Sequence, residues 1–203
     1  MSEKVSGIDN QKEGGSHDTE SKKCYDSVDE AKFNFQLLKD RLLNINNWQS
    51  YSGEITASFQ LFDEKGEELK TKVKLGDFIR IDIPGPGSFE GDGYDWVKVT
   101  KIDENPYEDD ERCLIVCVPS VNPTAENAQD IAHFYTNKAS SNFIVRRKGK
   151  CIYAEIHGRN EVSNLKTENI PDKIRNAVVS IMSRLGISKI QWKSLAEGLL
   201  DYK

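Results

Sequence analysis

The chain has 203 residues, enough for one large domain or two small ones, and 37% hydrophobic against 30% charged residues keeps it within the globular range. A formal net charge of -5 and a pI of about 5.4 speak against a general nucleic-acid binder, which needs a basic surface to neutralise phosphates. No apolar run approaches the ~20 residues of a membrane helix, and residues 1–27 lack the apolar stretch of a signal peptide, so a soluble cytoplasmic protein without a membrane span is expected.

Residues 1–26 form a polar tail. Val5, Ile8, Cys24 and Tyr25 offer too little apolar surface to offset the entropy of ordering, so the tail is expected to be disordered, with residues 27–203 as a single domain. Ser27 and Glu30 match a capping box, and Ala31, Phe35, Leu38, Leu42 and Ile45 recur at helical spacing. The pattern predicts a helix from about Val28 to Leu43, with Phe33 and Leu37 widening its apolar face. Trp48 and Tyr51 follow, in a position to plug one end of the core. The period then changes to two, with Ile55, Ala57, Phe59 and Leu61 alternating with polar residues as in a half-buried strand.

Asp63-Glu64-Lys65-Gly66 reads as a hairpin turn into a second strand over about Glu68 to Lys74. Gly76-Asp77 turns the chain into Phe78–Ile83, where Ile79, Ile81 and Ile83 face one way. Four glycines and two prolines between Pro84 and Gly93 exclude regular structure. Strand character resumes at Tyr94–Val99, and the acidic stretch from Asp103 to Glu111 reads as an exposed turn. Arg112–Val118 is a continuous apolar run, as in a strand buried on both faces. Asn142–Arg147 and Cys151–His157 are joined by a tight turn at Lys148-Gly149. Pro171 opens a helix carrying Ile174, Val178, Ile181 and Leu185. Ser188 and Gln191 cap a second helix with Trp192, Leu195 and Leu199 on one face. The expected class is α+β: a curved antiparallel sheet of about seven strands, with one N-terminal and two C-terminal helices packed on it.

Few motifs carry chemistry. The cysteines form no CxxC pair, and Cys113 and Cys117 are roughly 13 Å apart if on one strand, too far for a disulfide. The cysteines read as buried free thiols of a reducing compartment, with Cys24, in the polar tail, open to oxidation or modification but with nothing nearby to activate it. The Gly-rich loop lacks the GxxxxGK[ST] phosphate cradle, and Glu90 and Asp92 would repel an anion; it reads as a structural loop, or as a flap with Phe89 as its lid. GxSxG and HExxH patterns are absent, and neither a cofactor nor a metal site is expected. His157-Gly158-Arg159-Asn160-Glu161 gathers a base, a cation, an amide and a carboxylate at a strand end. Its simplest reading is an Arg159–Glu161 pair with a satisfied His157; as a catalytic base, His157 would need a partner within hydrogen-bond reach, with Asp95, Glu155, His133 and Glu161 as candidates. Arg146-Arg147-Lys148 with Lys150 reads as a solvated hairpin tip, and no nucleic-acid partner is expected.

Leu37-Leu38-Lys39-Asp40 followed by Trp48, and then Phe59-Gln60-Leu61-Phe62, is similar to the start of many domains of the START/Bet v 1-like (SRPBCC) helix-grip superfamily. The resemblance covers about residues 28–186. The family usually opens with a strand and closes with one long helix, whereas no strand is read here before the first helix and two helices end the chain. The resemblance implies a cavity between sheet and C-terminal helix that takes an apolar small molecule or lipid, and no catalytic residue. Residues 54–118 also resemble a small SH3- or OB-like barrel, which implies protein or oligosaccharide recognition.

The leading expectation is a non-enzymatic binder. Its cavity would be lined by Phe59, Ile81, Val99 and Ile115, capped by Phe89, Tyr94 and Trp96, and closed by Ile181 and Leu185. The alternative is an interaction module that dimerises or binds a protein through Trp192, Leu195 and Leu199. The third is an enzyme using His157 with Asp95 or Glu161.

Overall fold

A computed structural model of the chain describes residues 7–52, 57–83, 90–107, 110–164 and 192–201. Ser27 begins helix α1 (Val28–Leu43): its Oγ accepts the Glu30 N–H at 3.1 Å, one of the donors a helix start leaves open. Ala31, Phe35, Leu38 and Leu42 are buried beneath it, while Phe33 and Leu37 face outward, so the buried stripe is narrower than the spacing suggested. A 3-10 turn over Ile45–Asn47 and a short helix α2 (Trp48–Ser52) follow. Trp48 plugs the core there, its Nε1 donating to the Leu42 carbonyl at 3.0 Å and its ring lying 5.2 Å from Phe59 and 4.7 Å from Phe143.

Seven strands form one open antiparallel sheet: β1 (Gly15–Cys24), β2 (Ser58–Phe62), β3 (Phe78–Asp82), β4 (Asp95–Tyr107), β5 (Asp110–Pro119), β6 (Ser140–Lys148) and β7 (Cys151–Glu161). Their order is β1-β7-β6-β5-β4-β3-β2, so among the described residues β1 and β2 end the sheet and do not pair with each other as the seam of a barrel would. The class and the strand number match the sequence reading, but the membership differs. Residues 15–24, assigned to the disordered tail, are ordered as β1. Their apolar content is indeed too low to drive folding; the backbone ladder along β7 orders them, from Asp18↔His157 to Cys24↔Cys151. Residues 68–74 are not a strand. Beyond one bridge between Phe62 and Glu68, the segment turns away, and the Val73 N–H bonds to the Leu43 carbonyl at 3.0 Å, at the end of α1. The partner of β2 is therefore β3. The acidic stretch expected as a turn is strand instead: the β4–β5 ladder runs out to Tyr107↔Asp110.

The ladder register sorts side chains onto two faces. Phe59, Ile81, Val97, Val99, Ile115, Phe143, Val145, Ala154 and Ile156 line the core face, where α1 packs against β6 and β7. A helical segment over 192–200 closes part of the same face. Arg41 of α1 holds its end, Nη1 donating to the carbonyls of Gly198, Leu199 and Asp201 at 3.1, 3.2 and 2.6 Å. The helix expected from Pro171 lies outside the described residues.

Cys24 and Cys151 sit directly opposite in the β1–β7 ladder, Cα atoms 4.0 Å apart, and are joined as a disulfide. The reading of all four cysteines as free thiols is corrected for this pair, and with it the argument for a reducing compartment. Sequence could not have paired two residues 127 positions apart before the strand that carries Cys24 was known. Cys113 and Cys117 are free and buried, which pushes both thiols up to about 12. No described helix is long and apolar enough to cross a membrane.

Candidate functional site

Strand alternation puts Tyr153, Glu155, His157 and Arg159 of β7 on the face opposite the core. Cross-strand pairing arranges their neighbours in rows: Arg146 and Lys22 flank Tyr153, Glu20 stands beside Glu155, and Asp18 beside His157. The N-terminal segment crosses above them. It is pinned by Asn160, which adopts a left-handed φ of 54° and accepts the N–H groups of Lys12 and Glu13 at 2.7 and 3.3 Å. Asn160 also donates its own N–H to Gln11 Oε1 at 2.9 Å. Further along the segment, a side chain at Gly7 would meet Leu114 Cδ2 at 3.1 Å. This cover is why Leu114 and Ile144 are buried although they point away from the core, as the continuous apolar run of β5 suggested.

Between the segment and the strands lies a cleft of about 850 Å³. Its floor is an ionic chain. Arg146 Nε donates to Glu155 Oε1, Glu155 Oε2 lies 3.0 Å from His157 Nε2, His157 Nδ1 lies 2.6 Å from Asp18 Oδ1, and the same oxygen is 2.6 Å from Arg159. The Glu155 side chain is 1% exposed and that of His157 7%. Burial pushes the His157 pKa down, but Glu155 and Asp18 outweigh it and hold it above the usual histidine value. Burial likewise pushes the Glu155 carboxyl up, and His157 and Arg146 bring it below its ordinary value. Asp18 is shifted down in the same way by His157 and Arg159. The floor therefore alternates base and acid, with His157, Glu155 and Asp18 each shifted toward its charged form.

A second pocket lies on the core face, lined by Ile81, Ile83, Val97, Phe134, Phe143 and Trp192, with His17, His133, Tyr135 and Glu161 at its polar side. Its volume is about 30 Å³. His17 Nδ1 lies 2.7 Å from Glu161 Oε1, while His17 Nε2 is buried without a hydrogen-bond partner. His133 accepts the Tyr135 N–H at 2.9 Å, and burial lowers its pKa to about 3, so it stays neutral.

The expected site residues are distributed over both faces. Phe59, Ile81, Val99 and Ile115 line the core face together. Trp96 and Tyr94 do not cap them: with Phe62 and Phe78 they form a separate cluster on the opposite face, because Trp96 pairs with Arg80, out of phase with Ile81. Phe89 and Ile181 lie outside the described residues. His157, Asp95 and Glu161 are not brought together. Asp95 pairs with Ile81 on the core side, three strands and about 14 Å from β7. Glu161 shares strand parity with His157, yet the left-handed Asn160 turns it to the core face, where it meets His17. The expected Arg159–Glu161 pair is thus replaced by Arg159–Asp18 and His17–Glu161. Leu195 and Leu199 are buried in this chain's own core and Trp192 packs against Phe59 and Phe143, so the terminal helix turns its apolar side inward. The basic hairpin is split, Arg146 entering the cleft and Arg147 lying fully buried beside Glu111 on the core side. No group of three or more His, Cys, Asp or Glu that could hold a metal occurs among the described residues.

Asp18, Glu20 and Lys22, the charged residues that β1 brings to the cleft, were missed from sequence. Their signal was the alternation of charged and uncharged residues along 18–22, legible only once the segment is known to be a strand.

No family model and no curated protein matches the chain. Solved structures similar to it include norcoclaurine synthase from Thalictrum flavum, at TM-score 0.41 and 11% identity over 96% of this chain and 99% of that one. Ara h 8.0201 gives a TM-score of 0.36 and 12% identity over 92% and 99%, and major latex-like protein 151 from Panax ginseng 0.34 and 14% over 86% and 98%. At such scores the likeness carries no argument about what this chain binds.

Proposed function

We propose that the protein is a non-enzymatic binder of a small polar molecule, held in the cleft on the outer face of β1, β7 and β6. One observation carries this reading: the cleft of about 850 Å³ is of ligand size and is floored by the buried pair of Glu155 and His157, 3.0 Å apart and each shifted toward its charged form. A buried ion pair adds little stability over an apolar pair of the same shape, which favours a use in binding over a use in folding. Binding without chemistry is supported by His157, whose two ring nitrogens are both engaged, leaving neither to take a proton from a ligand.

Native mass spectrometry of freshly purified protein, against its denatured mass, tests the reading. A bound adduct is expected that weakens in Lys22→Glu and is indifferent to Trp192→Phe; the reverse pattern moves the ligand to the core face.

An apolar small molecule or lipid on the core face is the second reading. The buried, unpartnered His17 Nε2 beside apolar walls favours it. Magnitude weighs against it, since about 30 Å³ holds a water molecule or two, and a larger guest needs Trp192 to move. A protein partner on the terminal helix has less support still, as Leu195 and Leu199 are already buried within the chain.

A further inference from the structure

We infer that the cleft selects a small zwitterion, with an anionic group on the Lys22–Tyr153–Arg146 row and a cationic group toward Glu20 and Asp18. The inference rests on the cleft being the ligand site. Its basis is the cross-strand register. Lys22 and Arg146 both stand opposite Tyr153, one from each neighbouring strand, and both hold their charge over its ring, at 5.3 and 4.5 Å from the centroid. One residue pair along the same face, the next row presents Glu20 and Glu155, and the row after that Asp18. Side chains two apart on a strand face the same way, about 7 Å from each other. A basic row therefore lies beside an acidic one at the spacing of the two ends of an ω-amino acid, wider than those of an α-amino acid.

The inner charges are committed to one another and the outer ones are not. Glu155 is held by Arg146 and His157, and His157 by Glu155 and Asp18. Lys22 makes no ion pair among the described residues, and Glu20 is held only at 3.5 Å by Arg146, with half of its side chain exposed. Asp18 commits Oδ1 to His157 and Arg159 and keeps Oδ2 open. A ligand with a single net charge gains from one row and is repelled by the other. A zwitterion gains from both without breaking the floor.

The test is isothermal titration of the full chain at low salt with three probes of one length: 6-aminohexanoate, hexanoate and 1-aminohexane. Each exposed ion pair is expected to contribute about fivefold, so 6-aminohexanoate binds about fivefold tighter than either single-charge probe. Lys22→Gln removes that advantage over 1-aminohexane, and Glu20→Gln removes the advantage over hexanoate. Both side chains are solvent-facing, and unchanged circular dichroism confirms that the variants fold. Equal affinity for the three probes, equal loss of all three in either variant, or no binding of any overturns the zwitterion. An adduct that still responds to Lys22→Glu in mass spectrometry would then leave the cleft as the site and remove only the ligand class.

Discussion

His157 Nδ1 lies 2.6 Å from Asp18 Oδ1, a contact that ties the core strand β7 to the edge strand β1 while Nε2 holds Glu155 at 3.0 Å. Serving two carboxylates needs two N–H donors, so the arrangement calls for the protonated ring. The folded-state pKa is raised, so this stabilisation is complete below about pH 6.5 and is lost as pH rises through the raised value. His133 acts in the opposite direction. Held neutral down to about pH 3, it lets the unfolded chain take up a proton that the fold refuses, and stability falls as pH drops below about 6.5. Asp18 and Glu155, both lowered, add to the acid loss below their ordinary values. Denaturant midpoints should peak near pH 6.5. His157→Gln should flatten the alkaline limb, and His133→Asn the acid one down to about pH 4. An alkaline limb unchanged in His157→Gln would contradict the double clasp.

The Cys24–Cys151 bridge closes a span of 127 residues. By the chain-entropy argument such a link stabilises by up to about 5 kcal/mol, and removing a native bridge typically costs 2–5 kcal/mol. Reductant should lower the thermal midpoint and speed amide exchange in β1 before β5 and β6. Alkylation of denatured, unreduced protein should mark two cysteines, and four after reduction; four without reduction would refute the pairing.

Gly158 lies against the His17–Glu161 pair, and a Cβ there would overlap Glu161 Oε1 and the His17 ring. Gly158→Ala should therefore force the pair apart and cost about 1–3 kcal/mol, read as a shifted denaturant midpoint. A midpoint within error of the wild type would mean that the pair is not packed on the glycine.

Asn160 combines a left-handed backbone with the side-chain bonds that pin residues 12 and 13. Asn160→Gly keeps the backbone and loses the bonds; Asn160→Ala loses both. Both variants should abolish the exchange protection of the Lys12 amide, with the alanine variant less stable by a further ~1 kcal/mol. Continued protection in either would show the segment to be held elsewhere.

Local pattern located α1 to the residue, the inward alternation of β2 and β3, and the burial of β5, because each rests on side chains spaced along one element. The pentapeptide 157–161 stood out for its density of functional groups. Its partners could not be read, since Asp18 and His17 approach it only through a strand whose own residues carry no strand signature. The face of Glu161 was likewise hidden, because one left-handed residue reverses parity.

Composition and periodicity by themselves determined an α+β chain with a half-buried sheet and a capped first helix. The tertiary structure alone decided that a polar N-terminal segment becomes the edge strand, that Cys24 meets Cys151, and that the charges of β1, β6 and β7 share one cleft. The physical reason is range. Burial patterns act through neighbours a few residues apart, whereas an edge strand is ordered by backbone hydrogen bonds to a ladder about 140 residues away, which any sequence can accept and none announces.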